Sequence, residues 1–171
     1  MDVQAAVSPD TNVLITRFLS PDGVCEVQDF MPIAGTRGPA PRQRLVRRVI
    51  GVRGRMRLSA DVQPASDYGR RPHKLSLGEL GAVFESDTLT IALQTSVPLA
   101  RCGEGAAAAL SVAAGESASF VLELVDDHHP PRDYGDAETT EPSSRRSRSG
   151  DAGCRSRATR DAGARWSTAP R

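Results

Sequence analysis

The chain has 171 residues and a formal net charge of +1, and this small sum hides two unlike parts. Residues 1–141 carry 14 Lys+Arg against 19 Asp+Glu, a net charge of −5, whereas residues 142–171 carry 8 Arg against 2 acids, a net charge of +6. No apolar run approaches the roughly 18–20 residues of a membrane-spanning helix, and the first residues lack the basic and apolar regions of a secretory signal. We therefore expect a cytoplasmic protein without membrane contact, with one folded domain before residue 142.

The three cysteines are widely spaced and odd in number: Cys25, Cys102 and Cys154. Such spacing predicts neither a disulfide framework nor a metal site. It is consistent with a reduced compartment, and nothing in the sequence indicates a cofactor.

Alternating apolar residues in the first half of the domain predict β-strands separated by turns. Residues 12–19 and 24–30 are predicted strands joined by a turn at Ser20-Pro21-Asp22-Gly23, in which Pro presets φ and Gly accepts positive φ. Residues 34–42 hold two Gly and two Pro and are predicted to form a loop. Residues 44–52 and 55–63 are predicted strands, with either a bend or a tight hairpin at Gly51 and Gly54.

The second half of the domain continues the same pattern. Residues 64–72 are predicted to be a polar connection, residues 75–81 are ambiguous, and residues 82–85 and 89–95 are predicted strands around a turn at Ser86-Asp87. Four consecutive alanines at 106–109 could suggest a helix, but the residues that follow them fit strand, turn and strand better, with a last strand at residues 119–125. About eight strands, spaced by 8–12 residues and without a convincing helix, predict an antiparallel β-sandwich.

The last thirty residues differ abruptly from the domain before them. Residues 142–171 contain no Leu, Ile, Val, Phe, Met, Tyr or Lys. Back-translation shifted by one base allows a continuous alternative text, LFEAVAFWRRWLSQSRYP for residues 143–160 and GRWREMVHRSA for residues 161–171. That text has apolar residues at helical spacing, which the printed tail lacks. We therefore predict that the tail is out of frame and disordered, and that it has no designed function.

Five segments along the chain carry a resemblance to a known family. They are Pro9-Asp10-Thr11-Asn12-Val13-Leu14, Asp29-Phe30-Met31-Pro32, Leu45-Val46-Arg47-Arg48-Val49-Ile50-Gly51-Val52-Arg53-Gly54, Asp67-Tyr68-Gly69-Arg70 and Ser96-Val97-Pro98-Leu99. In order and spacing they resemble the N-terminal β-sandwich domain of glucoamylase- and trehalase-like enzymes, glycoside hydrolase family 15. The resemblance extends from residue 9 to residue 124, where residues 114–123 resemble that domain's closing hairpin. The shifted text GRWREMVHRSA resembles the linker into the family's helical (α/α)6 catalytic barrel.

The resemblance implies a partial domain rather than a whole enzyme. Family members hydrolyse α-glucosidic bonds with inversion through a general acid and a general base carboxylate in the barrel. Neither these carboxylates nor the family's opening segment is matched here, so no catalytic residue is carried over. The implied organisation is a disordered start at residues 1–8, a partial, incomplete sandwich at 9–126, a linker at 127–141 and the disordered tail. In the intact protein the implied partner is the helical barrel.

Two clusters could be taken for chemical sites. His128-His129 beside Asp126-Asp127 could bind a metal, but adjacent residues point apart on a strand and no third ligand pair lies at helical spacing, which favours a solvated linker. Cys25 has no His nearby in sequence, so a nucleophilic role has little support.

Two other features could be binding surfaces. In the segment Asp67-Tyr68-Gly69-Arg70 the Tyr could stack on a sugar while Asp and Arg bind hydroxyl groups, although a structural connection whose Tyr caps the core is favoured. Six arginines could form a basic ribbon for phosphate groups: Arg44, Arg47, Arg48, Arg53, Arg55 and Arg57. Their alternation with apolar residues predicts the solvated face of a sheet instead, so we expect no nucleic-acid partner, either for this ribbon or for the tail.

The resemblance implies a non-catalytic scaffold domain of a glucoamylase- or trehalase-like glycoside hydrolase, and the strands missing from it predict self-association through exposed sheet edges. The alternative is a stand-alone β-sandwich module that binds a saccharide or a partner protein. Low aromatic content weighs against it, since aromatics make up 4% of the chain, Tyr68 and Tyr134 are its only tyrosines, and Trp166 lies in the tail. A third possibility is a half-enzyme that assembles with a separately encoded catalytic domain.

Overall fold

The computed structural model describes residues 2–8, 11–32 and 43–126, together with the backbone of residues 164–167. These residues form eleven strands and one short 3-10 turn at Ser66–Gly69, and no α-helix occurs among them. The strands are β1 (Asp2–Val7), β2 (Leu14–Ser20), β3 (Gly23–Phe30), β4 (Arg44–Val62), β5 (Lys74–Gly78), β6 (Gly81–Glu85), β7 (Thr90–Thr95), β8 (Ala100–Cys102), β9 (Gly105–Ala113), β10 (Ser117–Val125) and β11 (Ala164–Ser167).

The strands form two antiparallel layers that share one strand. The larger layer has the order β1-β2-β3-β4-β10-β7-β6-β5, and the smaller has the order β8-β9-β4-β11. Buried residues of both layers form one core: Phe18, Cys25, Val27, Val49, Met56, Leu58, Ala60, Val62, Leu75, Ala82, Phe84, Leu93, Ala106, Ala108, Val112 and Phe120. The predicted antiparallel β-sandwich is therefore confirmed.

Strand β4 joins the layers because it bends between them. Residues 44–50 pair with β10 and residues 55–62 pair with β9. The register against β3 shifts between Val24 and Cys25, and Gly54 has φ +62°, a conformation that side chains disfavour. Of the two possibilities at Gly51 and Gly54, the bend is therefore correct and the tight hairpin is wrong.

Strands β9 and β10 follow the same bend as β4. The pattern of strand, turn and strand is confirmed, but the closing hairpin expected at residues 114–123 is wrong, because both strands pair with β4 rather than with each other. Backbone hydrogen bonds of 2.9 Å join the two bends, from Gly51 N to Glu116 O and from Gly115 N to Gly51 O. The single strand β4 therefore runs through both layers, and β9 and β10 lie end to end along it, one in each layer.

Both ends of the chain contribute strands where the sequence predicted disorder. Asp2–Val7 pairs with β2 along its whole length, although all six residues are exposed, so backbone hydrogen bonding to an open edge accounts for the strand. The expected disordered start is wrong for these residues. In the tail, Ala164–Ser167 pairs with residues 59–62 of β4, so disorder is also wrong for these four residues. Residues 127–163 and 168–171, including the predicted linker, lie outside the described residues.

The larger layer is also buried on its outer face. A second cluster contains Val13, Phe30, Val46 and Val121, of which Phe30, Val46 and Val121 lie side by side in the register of three neighbouring strands. Glu123, 1% exposed, follows two residues after Val121 and lies opposite Arg44 in the register. A strand whose two faces are both partly buried carries apolar residues at successive positions, which explains the adjacent apolar pairs Leu45-Val46 and Val49-Ile50 in β4.

Candidate functional site

The segment Asp67-Tyr68-Gly69-Arg70 forms an exposed turn with an unusual backbone. Asp67, Tyr68 and Gly69 have φ values of +48°, +58° and +80°, so two non-glycine residues in succession adopt the left-handed conformation. Each costs on the order of 1–2 kcal/mol relative to an ordinary conformation. The Tyr68 side chain is 73% exposed, so the expectation that it caps the core is wrong.

Arg71 holds this turn in place from one side. Its guanidinium lies 3.8 Å from Asp67 and forms an ion pair with Asp87, in the turn between β6 and β7. Two backbone hydrogen bonds close the turn, from Arg70 N to Asp67 O and from Arg71 N to Ser66 O. The turn therefore carries an exposed aromatic residue in the same short segment as Asp67 and Arg71, and Arg71 also binds Asp87. Such a combination can contact sugar hydroxyl groups or a protein surface.

A second feature is the ion pair of Arg47 with Asp29. Arg47 Nε donates to Asp29 Oδ1 and Arg47 Nη2 donates to Asp29 Oδ2, and both donor–acceptor distances are 2.5 Å. The Arg47 and Asp29 side chains are only 18% and 14% exposed. In the register Arg47 lies opposite Asp29 and Phe120, which places it on the inner face of the larger layer. The prediction of a solvated face is therefore wrong for Arg47.

Of the other five arginines, Arg44 and Arg48 are half-buried, whereas three follow the prediction of a solvated face. Arg53, Arg55 and Arg57 are exposed, and Arg55 lies 4.0 Å from Glu116. In the smaller layer the buried residues of β4 alternate with these arginines, as the period of two predicted. The six arginines do not form one continuous ribbon, because the bend in β4 and the inward position of Arg47 divide them.

An apolar cavity of about 250 Å³ lies between the inner face of the larger layer and the end of β4. Its lining includes Leu45, Ile91, Leu122 and Leu124 from the larger layer and Val62 at the end of β4. Arg47 also reaches the cavity. This end of the sandwich therefore combines an apolar surface with a half-buried ion pair, which suits packing against another apolar surface.

Cys25 is unsuited to nucleophilic chemistry. It is 0% exposed, and burial raises the pKa of its thiol from the ordinary value of 9.0 to about 11, so the reactive thiolate is disfavoured at neutral pH. Cys102 is exposed, and both are free thiols. Cys154 lies outside the described residues.

No group of three metal-ligating side chains occurs among the described residues. His128, His129 and Asp127 lie outside them, so the expectation of a solvated linker there stays a prediction. The described part of the chain also contains no helix long and apolar enough to cross a membrane.

The residues that support the exposed turn could be found only in part from the sequence. Arg71 is four residues from Asp67, a spacing at which opposite charges meet on a helical turn, and it gives a weak signal. Asp87 gives none, because it is sixteen residues away from Arg71 and reaches it only through the tertiary fold.

Comparison with family models, with curated proteins and with solved structures finds no match to this chain.

Proposed function

We propose that the β-sandwich is a non-catalytic scaffold domain of a glucoamylase- or trehalase-like glycoside hydrolase, whose role is to pack against a helical (α/α)6 catalytic domain. The proposal starts from the five segments that resemble the family. It is supported by contacts that three of these segments make with one another in the folded chain.

The carrying observation is that these three segments, distant in sequence, bond to one another through side chains. Asn12 Nδ2 donates to Met31 O over 2.7 Å, which joins the first segment to the second. The ion pair of Arg47 with Asp29 joins the second to the third. The three segments thus lie side by side on the neighbouring strands β2, β3 and β4 and form one continuous part of the larger layer, as expected of segments that belong to a single domain.

Two surfaces are available for the proposed catalytic partner. One is the apolar end of the sandwich with its cavity, next to Met31, which is 56% exposed. The other is the strained turn that presents Tyr68. A backbone strain of this kind is retained where a residue must be presented in one geometry, and an exposed turn of a scaffold domain has that role when it contacts a neighbouring domain.

The test is assembly with a catalytic domain. The purified chain is mixed with the helical domain of a glucoamylase- or trehalase-like enzyme produced without its own sandwich, and binding is measured by size-exclusion chromatography and glucose release from maltose and trehalose. We expect a complex that releases glucose faster than the helical domain alone, whereas the chain alone releases none, because inversion requires an acid and a base placed around one bond.

A matched pair of variants connects this assembly to the proposed surface. Tyr68→Ala should weaken the complex, whereas Leu80→Ala, which removes another exposed apolar side chain, should not. Glucose release by the chain itself would refute a non-catalytic role. Failure to bind any of several helical domains of this family would refute the scaffold role.

A stand-alone module that binds saccharides is the second candidate, and the exposure of Tyr68 favours it. Tyr68 is exposed in the same turn as Asp67, which lies 3.8 Å from Arg71, and the polar atoms of these two side chains suit sugar hydroxyl groups. Isothermal titration with maltose, maltotriose and trehalose tests this function. Tyr68→Phe should retain affinity because a ring still stacks, whereas Tyr68→Ala should abolish it. Equal affinity of both variants would exclude the turn as a saccharide site.

A further inference from the structure

The two edges of β4 in the smaller layer are occupied to different extents. On one side β9 pairs with all eight residues from 55 to 62. On the other side β11 pairs with residues 59–62 only. Among the described residues no strand pairs with Met56, Arg57 or Leu58 on that side, and Arg57 is exposed. An unpaired strand edge of this kind can pair with another chain.

This edge carries charges that suit a second copy of itself. An antiparallel pairing of β4 with the β4 of another copy, centred on Ser59, places Arg57 of each chain opposite Asp61 of the other. Cross-strand pairs of opposite charge stabilise a sheet, whereas like charges destabilise it. The same alignment places Leu58 opposite Ala60, and both of these side chains lie on the buried face. The pairing obeys a twofold axis, as the contacts of most homodimers do.

Strand β11 occupies part of the same edge within one chain, at residues 59–62. Its register places Arg165 opposite Asp61, so an arginine position faces Asp61 both in this arrangement and in the pairing of two copies. β11 has only four residues and is separated from the end of the described body by residues 127–163. We therefore expect β11 to bind the edge of β4 weakly, because it is short and is joined to the body by a long connection.

We propose that the edge of β4 at residues 57–61 is a self-association site, where two copies of the chain join their smaller layers into one continuous antiparallel sheet. β11 competes for this edge within each chain, so removal of β11 strengthens the dimer. The inference depends on the register and charges of β4 alone and does not require the glycoside hydrolase assignment.

Sedimentation equilibrium over a range of protein concentrations measures the dimer directly. We expect the full chain to form a weak dimer, and Arg165→Pro to strengthen it by about tenfold, because proline removes a backbone donor from β11 and frees the edge. Thr168→Pro, three residues further along and outside β11, serves as the control and should leave the dissociation constant unchanged. A chain that stays monomeric with and without Arg165→Pro would overturn the proposal, as would weaker association of Arg165→Pro.

Charge exchange tests the register of the pairing. Asp61→Arg should weaken the dimer of the Arg165→Pro chain by about tenfold or more, because it brings like charges together twice in each dimer. Addition of Arg57→Asp should restore the affinity by exchanging the two charges. Glu104→Arg makes the same change of charge in the turn between β8 and β9 and should have no effect. Failure of the double exchange to restore affinity, or equal weakening by Glu104→Arg, would exclude this register; circular dichroism verifies that each variant is folded.

Discussion

The two halves of β4 differ in how firmly the fold holds them. Residues 44–50 lie inside the larger layer, where β10 pairs with all of them and β3 pairs with residues 46–50, and Arg47 bonds across to Asp29. Residues 55–62 have β9 on one side and only the short β11 on the other. A single continuous strand thus has a fully enclosed half and a half with an accessible edge. Enclosure follows from the neighbouring strands and cannot be read from the residues of β4 alone.

The largest effect should come from the core beside the enclosed half. Phe120, in β10, is 1% exposed and lies opposite Arg47 of β4. Phe120→Ala should lower the free energy of unfolding by about 3–5 kcal/mol, because it removes buried surface and leaves a cavity. Urea denaturation measures the change. Leu80→Ala, at an exposed position, is the control, and a loss at Phe120 no greater than at Leu80 would contradict the described core.

The next largest effect should come from the ion pair that ties the enclosed half to β3. Asp29→Asn should destabilise the protein by about 3 kcal/mol, because it leaves a largely buried guanidinium without its carboxylate. Glu26→Gln breaks the corresponding pair with Arg17, which is 56% exposed, and should cost at most about 1 kcal/mol. Denaturation of both variants gives the comparison, and equal losses would show that burial does not strengthen the Asp29 pair.

Cys25 lies opposite Gly51 where β4 begins to bend, and it should make stability depend on pH. Its pKa is raised by burial to about 11, so the folded chain keeps the thiol neutral while the unfolded chain ionises above its ordinary value of 9.0. The contribution of the neutral thiol is complete below pH 9 and is lost as pH rises towards 11, by on the order of 2 kcal/mol.

Denaturation at pH 8 and pH 10.5 measures this loss, and Cys25→Ala should remove it. Alkylation at neutral pH should label Cys102 in the folded protein and leave Cys25 unmodified. Labelling of both thiols at the same rate would contradict the enclosed position of Cys25.

The smallest effect should come from the accessible half. Arg165→Pro should change the free energy of unfolding of the monomer by less than about 0.5 kcal/mol, because four paired residues gain little beyond the entropy lost in ordering them. Urea denaturation at low concentration, where dimers are absent, isolates this term. A loss comparable to that of Asp29→Asn would mean that β11 holds the smaller layer together.

The predictability of the fold depended on the kind of residue involved. Period-two segments such as residues 56–62 were assigned correctly, because alternation follows directly from the pleat of a half-buried strand. The alanine run at 106–109 was correctly assigned to a strand because residues 110–115 argued against a helix. Asp2–Val7 was missed, since its six residues are exposed and only the backbone edge of β2 orders them.

The candidate site was predicted less well than the fold. The segment at residues 67–70 was identified as a possible contact loop, yet its Tyr was expected to cap the core. The left-handed backbone of Tyr68 has no sequence signal, and that of Asp67 has a weak one, because left-handed conformations are marked mainly by glycine and less often by Asp or Asn. The inward position of Arg47 was missed because alternation shows which residues share a face but not which face is inside.

The sequence by itself determined the all-β class, the antiparallel sandwich and most strand positions, because apolar periodicity and turn chemistry act within a few residues. It also provided the family resemblance on which the proposed function rests. Only the tertiary structure decided that β4 bends across both layers, that β9 and β10 follow it in line, and that Asp29 meets Arg47. These features depend on contacts between residues far apart in the chain, whose geometry is fixed only when both layers pack around one core.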